Sequence, residues 1–292
     1  MPARHDWWDD YHSRNQQKGG VVVSQSLGFI GAGKMVSAIV HSLLRTNSFA
    51  PEQISCCSAN DGTSEKLSND TGISRFDSVE EMLESSPSVL ILGCKPQQIN
   101  ELPPSVSEKS AGCLILSIMA GIPIAKLAKA FPKARNVVRS MPNTPGQIGH
   151  GVTGYLFAQS PSRPDQKMIE QILSSLGKAY KLSEEADLDR ITAISGSGPA
   201  YVFEFTCALE EAARAIGLSG KLAKELALRT VTGAARLMES SDLAPKELRD
   251  QVTSPNGTTQ AALESFSADE LRTIVRHAVE AARARSVELS HE

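Results

Sequence analysis

The sequence predicts an open α/β sheet with helices on both of its faces, followed by an all-α domain. Residues 25–182 alternate between short apolar runs and amphipathic stretches, the pattern of βαβ units that build a mostly parallel sheet. From residue 183 to residue 292 the strand pattern stops, and long helical stretches follow one another. With 292 residues, of which 41% are hydrophobic, the chain is large enough for two globular domains.

Five apolar runs of the first domain predict strands, and four amphipathic runs between them predict helices. Several strands are apolar at consecutive positions, as expected where both faces of a sheet are covered. The predicted strands are SLGFIG, QISCCS, SVLILGC, CLILSIMA and RNVVRS. The predicted helices are KMVSAIVHSLLR, SVEEMLESS, IAKLAKAF and QKMIEQILSSLG, and the sheet is extended at its end by VTGYLFA and KAYKL.

Three long helices are predicted in the second domain: YVFEFTCALEEAARAIGL, KLAKELALRTVTGAARLMES and ADELRTIVRHAVEAARARSVEL. In the middle helix Leu222, Leu226, Val231 and Met238 belong to an apolar surface far wider than one narrow stripe. A helix that is apolar on most sides is buried on most sides. One copy of this region has too few apolar partners to bury those helix faces. This favours a dimer formed through the helices.

Composition and charge exclude several functions. A formal net charge of −3 provides no basic field for a nucleic-acid backbone. The longest apolar runs are shorter than a membrane span and contain Gly and Pro. The five cysteines show no zinc-type pair, so we expect free thiols, no metal site and a cytoplasmic location. Residues 1–24 match neither a secretory signal nor a transit peptide, and we expect a disordered extension there.

The run LGFIGAGKM predicts a dinucleotide-binding loop at the first strand-to-helix junction. Gly31 and Gly33 occupy the first two positions of G-x-G-x-x-G, and Val36 occupies the third. Gly31 permits the tight turn, and Gly33 lets a pyrophosphate approach the amides at the start of the helix. Because the loop follows an apolar strand and opens a series of βαβ units, we interpret the first domain as Rossmann-type.

The end of the second strand, ISCCSANDG, indicates the cofactor preference. No acid stands at the strand end itself, although Asp61 follows, and Ser58 and Asn60 can donate hydrogen bonds to a 2′-phosphate. The Arg that usually accommodates this phosphate is absent. We therefore expect NADPH as the cofactor, with NADH as the alternative. Lys66, which follows in the next helix, is expected to lie on the solvated surface.

Three further loops are predicted at the carboxyl edge of the sheet, where open α/β sheets bind ligands. They are Cys94-Lys95-Pro96, the segment 117–121 with Met119 and Ala120, and MPNTP with Asn143. Lys95 could act as an acid, but positioning of the nicotinamide is its simpler role. The amide of Asn143 could hydrogen-bond either the cofactor or its own loop.

A second loop of small residues, VTSPNGTT, precedes the last helices. Residues 254–257 are expected to form a turn, and Thr258 or Thr259 is expected to cap the helix that follows. The unpaired amides at such a helix start suit a small carboxylate.

Together, GFIGAGKM, CKP, MPNTP, SGSGPAY and VTSPNGTT resemble the motifs of pyrroline-5-carboxylate reductase over roughly residues 26–290. The resemblance implies an N-terminal NAD(P)-binding domain, a C-terminal dimerisation domain, and reduction of the imine of 1-pyrroline-5-carboxylate to L-proline. Residues expected at the cofactor are Gly31, Ala32, Gly33, Lys34, Met35, Ser58, Asn60, Cys94, Lys95, Pro96, Met119, Ala120 and Asn143. Residues expected at the substrate are Glu185, Ser254, Gly257, Thr258 and Thr259.

The chain departs from this family at two positions. It has Val36 where the family usually has Ala, and Asn256 where the family has the first Gly of SPGGTT. Asn tolerates left-handed backbone better than other non-Gly residues, so we expect the turn to survive.

The run SGSGPAY, residues 195–201, is expected to break the helices beside the nicotinamide pocket. Gly196 and Gly198 would let the backbone meet a flat ligand or a partner helix, and Ser197 can cap. Pro199 suits the first turn of the next helix. We expect the Thr259 hydroxyl to donate to the imine nitrogen, and we expect each site to be shared by the two chains of a dimer, with a larger ring of dimers as an extension.

Two other functions compete with this one. A reductase of β-hydroxy acids would use a Lys in the first long interdomain helix, and YVFEFTCALEEAAR has none. A cofactor-sensing protein without turnover would have no need of the SPNGTT loop.

Overall fold

The computed structural model describes residues 25–291, and the expectation for residues 1–24 lies outside them. Among the described residues, eight strands form one sheet: β1 (Leu27–Ile30), β2 (Ile54–Cys57), β3 (Ser74–Arg75), β4 (Val89–Leu92), β5 (Leu114–Ser117), β6 (Asn136–Met141), β7 (Gly151–Phe157) and β8 (Gly177–Lys181). The strand order is β3-β2-β1-β4-β5-β6-β7-β8. Neighbours are parallel except β6 and β7, which are antiparallel. The predicted α/β architecture is confirmed.

The helices of the sheet domain are α1 (Lys34–Arg45), α2 (Thr63–Thr71), α3 (Val79–Glu84), α4 (Pro104–Lys109), α5 (Ile124–Ala130) and α6 (Arg163–Ser174). The four predicted helices correspond to α1, α3, α5 and α6. Helix α2 is the helix expected around Lys66, whereas helix α4 and the short strand β3 were not predicted. Helix α2 has almost no apolar periodicity, because only Ser64 and Leu67 of its nine residues are buried.

Successive residues of the central strands point into two different cores, which explains their continuous apolar runs. In β4, Val89 and Ile91 join the core that contains the apolar faces of α1 and α6. Leu90 and Leu92 join the opposite core, which contains Met82 of α3. All four β4 side chains are fully buried. Each contributes about 1.5–3 kcal/mol of transfer free energy.

The second domain consists of α7 (Ala186–Ile191), α8 (Gly198–Ala215), α9 (Gly220–Glu239), α10 (Pro245–Gln251), α11 (Thr258–Ala268) and α12 (Leu271–His291). The three predicted long helices correspond to α8, α9 and α12. In the single chain these helices expose large apolar side chains, among them Val202, Phe203, Phe205, Leu222, Leu226, Leu228, Leu237, Met238, Ile274 and Val275. Within α9 the buried residues are Ala223 and Ala227. None of the helices in residues 25–291 is long and apolar enough to cross a bilayer.

The last turns of α12 return to the sheet domain. Within the helical domain, Ser286 Oγ joins α12 to α7 by donating a hydrogen bond of 2.7 Å to Asp189 Oδ1, and Ser286 is buried. A Cβ added at Gly121, in the loop after β5, would lie 3.0 Å from Leu289 Cβ. The C-terminal helix therefore packs against the carboxyl edge of the sheet of its own chain.

Val36 of α1 packs against Gly93, the residue that follows β4. A Cβ added at Gly93 would overlap Val36 Cγ2. We therefore expect Gly93→Ala to lower the free energy of unfolding by about 1–3 kcal/mol, the usual cost of overpacking. Val36→Ala removes the obstructing methyl groups, so the double variant should lose less stability than the sum of the single variants. Urea titration of the four proteins measures this coupling; strictly additive losses would contradict the contact.

Candidate active site

The dinucleotide loop has the backbone that its glycines were predicted to allow. Gly31 has φ +101°, and its amide donates a hydrogen bond of 2.7 Å to the Cys57 carbonyl. A Cβ at Gly31 would lie 2.6 Å from the Gly93 carbonyl oxygen, inside the neighbouring backbone. Gly33 is the N-cap of α1 and has no side-chain cap, while a Cβ added there would meet no atom within 4 Å. The first amides of α1 therefore face open space, as a pyrophosphate requires.

A cavity of about 590 Å³ lies at the ends of β1, β2 and β4. The predicted residues that line it are Gly31, Ala32, Gly33, Ser58, Cys94 and Lys95. Thr63 and Gln98 also line it and were not predicted. Thr63 is the first residue of the polar helix α2. Because this helix has almost no apolar pattern, the sequence did not indicate that Thr63 lines the cavity. The Gln98 side chain accepts a 2.9 Å hydrogen bond from the Lys95 amide and so fixes the turn after β4.

The other predicted cofactor residues lie outside this cavity. Lys34 and Asn60 are exposed near the starts of α1 and α2, and Met35 packs against the core. Met119 is buried, and its Sδ lies 3.7 Å from Cys94 Sγ. Burial raises the pKa of the Cys94 thiol, so this thiol stays protonated at neutral pH. Pro96 begins the 3₁₀ helix Pro96–Glu101, and Ala120 is exposed after β5.

Asp61 is held by its own loop. Its Oδ1 accepts hydrogen bonds from the Thr63 hydroxyl at 2.6 Å and from the Thr63 amide at 3.0 Å. The Ser58 hydroxyl donates to the same oxygen at 3.4 Å and to the Ala59 carbonyl at 3.0 Å. The Thr63 hydroxyl, followed by the Thr63 amide, holds the pKa of Asp61 below its usual value. The loop after β2 therefore carries a full negative charge at neutral pH.

Asn143 uses its side chain within the protein. Its Nδ2 donates a 2.9 Å hydrogen bond to the Ser195 carbonyl, and its Oδ1 accepts a 2.8 Å bond from the Val152 amide. Both partners lie outside the MPNTP loop, so the side-chain bond to its own loop that the sequence suggested is not observed. Asn143 thereby joins MPNTP to the SGSGPAY segment.

The SGSGPAY segment begins inside a π-helical turn, Thr192–Gly196, and α8 begins at Gly198. The predicted cap by Ser197 is wrong, because Ser197 is helical and makes no side-chain cap bond. A Cβ at Gly196 would lie 3.1 Å from Met141 Cε, whereas one at Gly198 would meet nothing within 4 Å. Gly196 therefore allows contact with the MPNTP strand, and Gly198 leaves a surface open.

Glu185 lies at the junction of the two domains. Its Oε1 accepts a hydrogen bond of 2.7 Å from Arg139 Nη1 and one of 2.8 Å from the Ile124 amide. The Arg139 side chain is only 6% exposed, and its Nη2 donates to Ser290 Oγ at 3.3 Å. Arg139 was not predicted; an arginine inside the apolar strand RNVVRS was the available signal.

The VTSPNGTT loop keeps its turn despite the departure at Asn256. Asn256 has φ +58°, which confirms the left-handed conformation expected there. The Gly257 amide donates a 3.0 Å bond to the Ser254 carbonyl, and a Cβ at Gly257 would overlap Ser254 Oγ. A side chain at residue 257 would therefore have to displace the Ser254 hydroxyl.

The expectation that Thr258 or Thr259 caps α11 is wrong. Gly257 is the N-cap without a side-chain bond, and the two threonines are the first helical residues. Within residues 25–291 neither threonine hydroxyl has a hydrogen-bond partner. The start of α11 therefore presents hydroxyls and amides that a ligand can use. No group of three or more His, Cys, Asp or Glu side chains among the described residues could hold a metal ion.

Comparison with protein families matches residues 185–289 to a model of pyrroline-5-carboxylate reductase dimerisation. Residues 26–121 match a model of coenzyme F420-dependent NADP oxidoreductase. The chain is 39% identical to the pyrroline-5-carboxylate reductase of Pseudomonas aeruginosa over 272 residues, or 91% of this chain and 97% of the relative. It is 32% identical to the corresponding reductase of Arabidopsis thaliana, with 91% and 96% covered.

Solved structures give the same result. A pyrroline-5-carboxylate reductase from Coxiella burnetii matches with a TM-score of 0.84 and 31% identity, over 91% of this chain and 98% of that one. Pyrroline carboxylate reductase from Plasmodium falciparum, solved with NADP bound, matches with a TM-score of 0.78 and 30% identity over the same shares.

Proposed function

Because the chain belongs to the pyrroline-5-carboxylate reductase family, we propose that it reduces the imine of its substrate in a site between the carboxyl edge of the sheet and the start of helix α11. The chain is an NAD(P)H-dependent oxidoreductase that reduces 1-pyrroline-5-carboxylate to proline in proline biosynthesis. When bound, NADPH supplies the hydride for the imine carbon. The open start of α11 is the observation that carries the proposed location.

The cofactor residues fit a dinucleotide. Gly31 leaves no room for a side chain, and Gly33 leaves the amides of α1 open to a pyrophosphate. Lys95 and Cys94, at the end of β4, border the same cavity. Met119 supports Cys94, and Asn143 supports Ser195. We propose direct or supporting roles at the cofactor for the remaining predicted residues as well: Ala32, Lys34, Met35, Ser58, Asn60, Pro96, Met119, Ala120 and Asn143.

The substrate carboxylate would bind the amides at the start of α11 and the Ser254 turn. A helix start attracts a carboxylate because its first amides and its dipole both favour negative charge. The imine nitrogen gains electron density as the carbon is reduced, so a donor placed at the nitrogen stabilises the transition state. Thr259 takes this role, and Thr258 and Gly257 shape the anion site. Exclusion of water and orientation supply the remaining assistance.

Glu185 acts on the site through other residues. Its Oε1 is occupied by Arg139 and by the Ile124 amide, so the carboxylate fixes the domain junction next to the sheet edge. We therefore propose a positioning role for Glu185 in place of the substrate contact expected from the sequence.

The helical domain is a dimerisation domain, and the protein forms a homodimer through it. We propose a domain boundary at residues 182 and 183, sites shared between two subunits, and a larger ring of dimers.

We also propose a cytoplasmic location, supported by the five free cysteines. Burial raises the pKa of Cys56 to about 11, so this thiol is protonated and unreactive at neutral pH.

Oxidation of NADPH with and without 1-pyrroline-5-carboxylate tests the activity directly. Oxidation that depends on this substrate agrees with the assignment. Oxidation with β-hydroxy acid precursors instead would indicate the competing reductase, and cofactor binding without turnover would indicate a sensor.

Thr259→Val removes the hydroxyl and keeps the shape of the side chain. We expect kcat to fall by roughly tenfold or more, since hydrogen bonds to developing charge stabilise transition states by a few kcal/mol. The dissociation constant of NADPH should hardly change. Thr259→Ser, which keeps the hydroxyl, is the matched control and should retain most of the activity. Equal kcat values for the Val variant and the unmodified protein would reduce Thr259 to a helix residue without a catalytic role.

A further inference from the structure

A groove of about 710 Å³ runs between α1 and α2, beside the cofactor cavity. Ala32, Gly33 and Thr63 line both spaces, so the two meet where both helices begin. In Rossmann domains the adenosine ribose lies at the end of the second strand, next to the glycine loop. The 2′ position of bound NADPH would therefore lie where the cavity and the groove join.

The cofactor cavity has more negative than positive side chains. Its walls include Asp61, Glu80 and Glu101, as well as Asp77, which forms a 2.8 Å salt bridge with Arg75; Lys95 is the cationic side chain of the lining. A phosphate monoester carries a charge of about −1.5 to −2 at pH 7. Carboxylates this numerous would repel a 2′-phosphate that remained inside the cavity.

The groove has the opposite charge. Lys34 and Lys66 line it, together with the imidazole of His41 and one carboxylate, Asp70. Within residues 25–291 neither of these lysines forms a salt bridge. Lys34 is the first residue of α1, and Lys66 is in the first turn of α2. Long side chains on a helix point back towards its N-terminus, so Lys66 covers the start of α2.

We propose that this groove is the subsite for the 2′-phosphate of NADPH, with Lys66 as the residue that selects NADPH over NADH and Lys34 as its neighbour. The inference rests on the cofactor assigned above. It adds a ligand role to Lys66, which is exposed as the sequence predicted. It also explains how a chain without the usual Arg accommodates the phosphate, because two ammonium groups on facing helix starts replace one guanidinium.

Calorimetric titration with two nucleotide fragments tests the subsite without turnover. Adenosine 2′,5′-bisphosphate carries the 2′-phosphate, and adenosine 5′-monophosphate lacks it. Lys66→Ala should weaken binding of the bisphosphate by about tenfold, the lower range for a charge-assisted hydrogen bond at an exposed site. Binding of the monophosphate should change by less than about twofold. Lys66→Arg, which keeps the charge, should retain most of the affinity for the bisphosphate.

Lys178→Ala is the matched control, because it removes the same charge from β8, at the far edge of the sheet. It should leave both affinities unchanged. Raising the ionic strength from roughly 0.01 M to roughly 0.15 M should reduce the preference for the bisphosphate more in the unmodified protein than in Lys66→Ala. An unchanged bisphosphate affinity in Lys66→Ala, or an equal loss for both fragments, would overturn the subsite. Absence of imine reduction by the unmodified protein would instead contradict the proposed function.

Discussion

Gly31→Ala should weaken NADPH binding by roughly a hundredfold or more and should lower the melting temperature as well. At φ +101° an L side chain is strained by about 1–3 kcal/mol. Its Cβ would also lie 2.6 Å from the Gly93 carbonyl oxygen, and backbone cannot move aside as a flexible side chain can. The loop must therefore shift, and the start of α1 must shift with it.

Gly33→Ala separates loss of binding from loss of fold. Gly33 has φ −69°, and a Cβ there meets no protein atom within 4 Å. The melting temperature should stay the same, while NADPH affinity falls because the methyl enters the space of the pyrophosphate. Calorimetry and thermal unfolding of both variants measure the two effects. Wild-type affinity in Gly31→Ala would show that the loop relaxes without moving α1.

Two inactive variants should restore activity when they are unfolded and refolded together. Gly33→Asp adds a negative charge in open space at the pyrophosphate site. Thr259→Val with Gly257→Val removes the donor and forces a side chain into Ser254 Oγ. If one subunit supplies the cofactor loop and the other supplies α11, a mixed dimer has one site with both defects and one intact site. Random pairing then restores roughly a quarter of full activity, since half of the dimers are mixed.

Differently tagged subunits and native mass spectrometry show whether mixed dimers form. Each variant refolded alone is the control and should remain inactive. Mixed dimers that form and stay inactive would mean that each site is built by one chain.

The sequence pattern predicted the features that depend on neighbouring residues, namely the strands and one turn. The strands around Phe29 and Ile91 follow from consecutive apolar residues, and the left-handed turn follows from Asn256 itself. The capping prediction at Thr258 failed because α11 begins earlier than expected: Gly257 is the N-cap, and Thr258 is already helical.

Contacts between distant segments could not be predicted from the sequence. Glu185 meets Arg139 across 46 positions of the chain, and Asn143 meets Ser195 across 52. No periodicity encodes such pairs, because they depend on how the two domains pack. The groove beside Lys66 could not be predicted for the same reason, because it exists only when α1 and α2 lie side by side.

The return of α12 to the sheet domain has a consequence for how the molecule is made. Chains emerge from the ribosome with the N-terminus first, and domains usually fold in that order. Here the surface around Gly121 and Arg139 stays uncovered until Leu289 and Ser290 have been synthesised. Completion of the first domain thus waits for the end of translation, and the nascent sheet would be a substrate for chaperones during that interval.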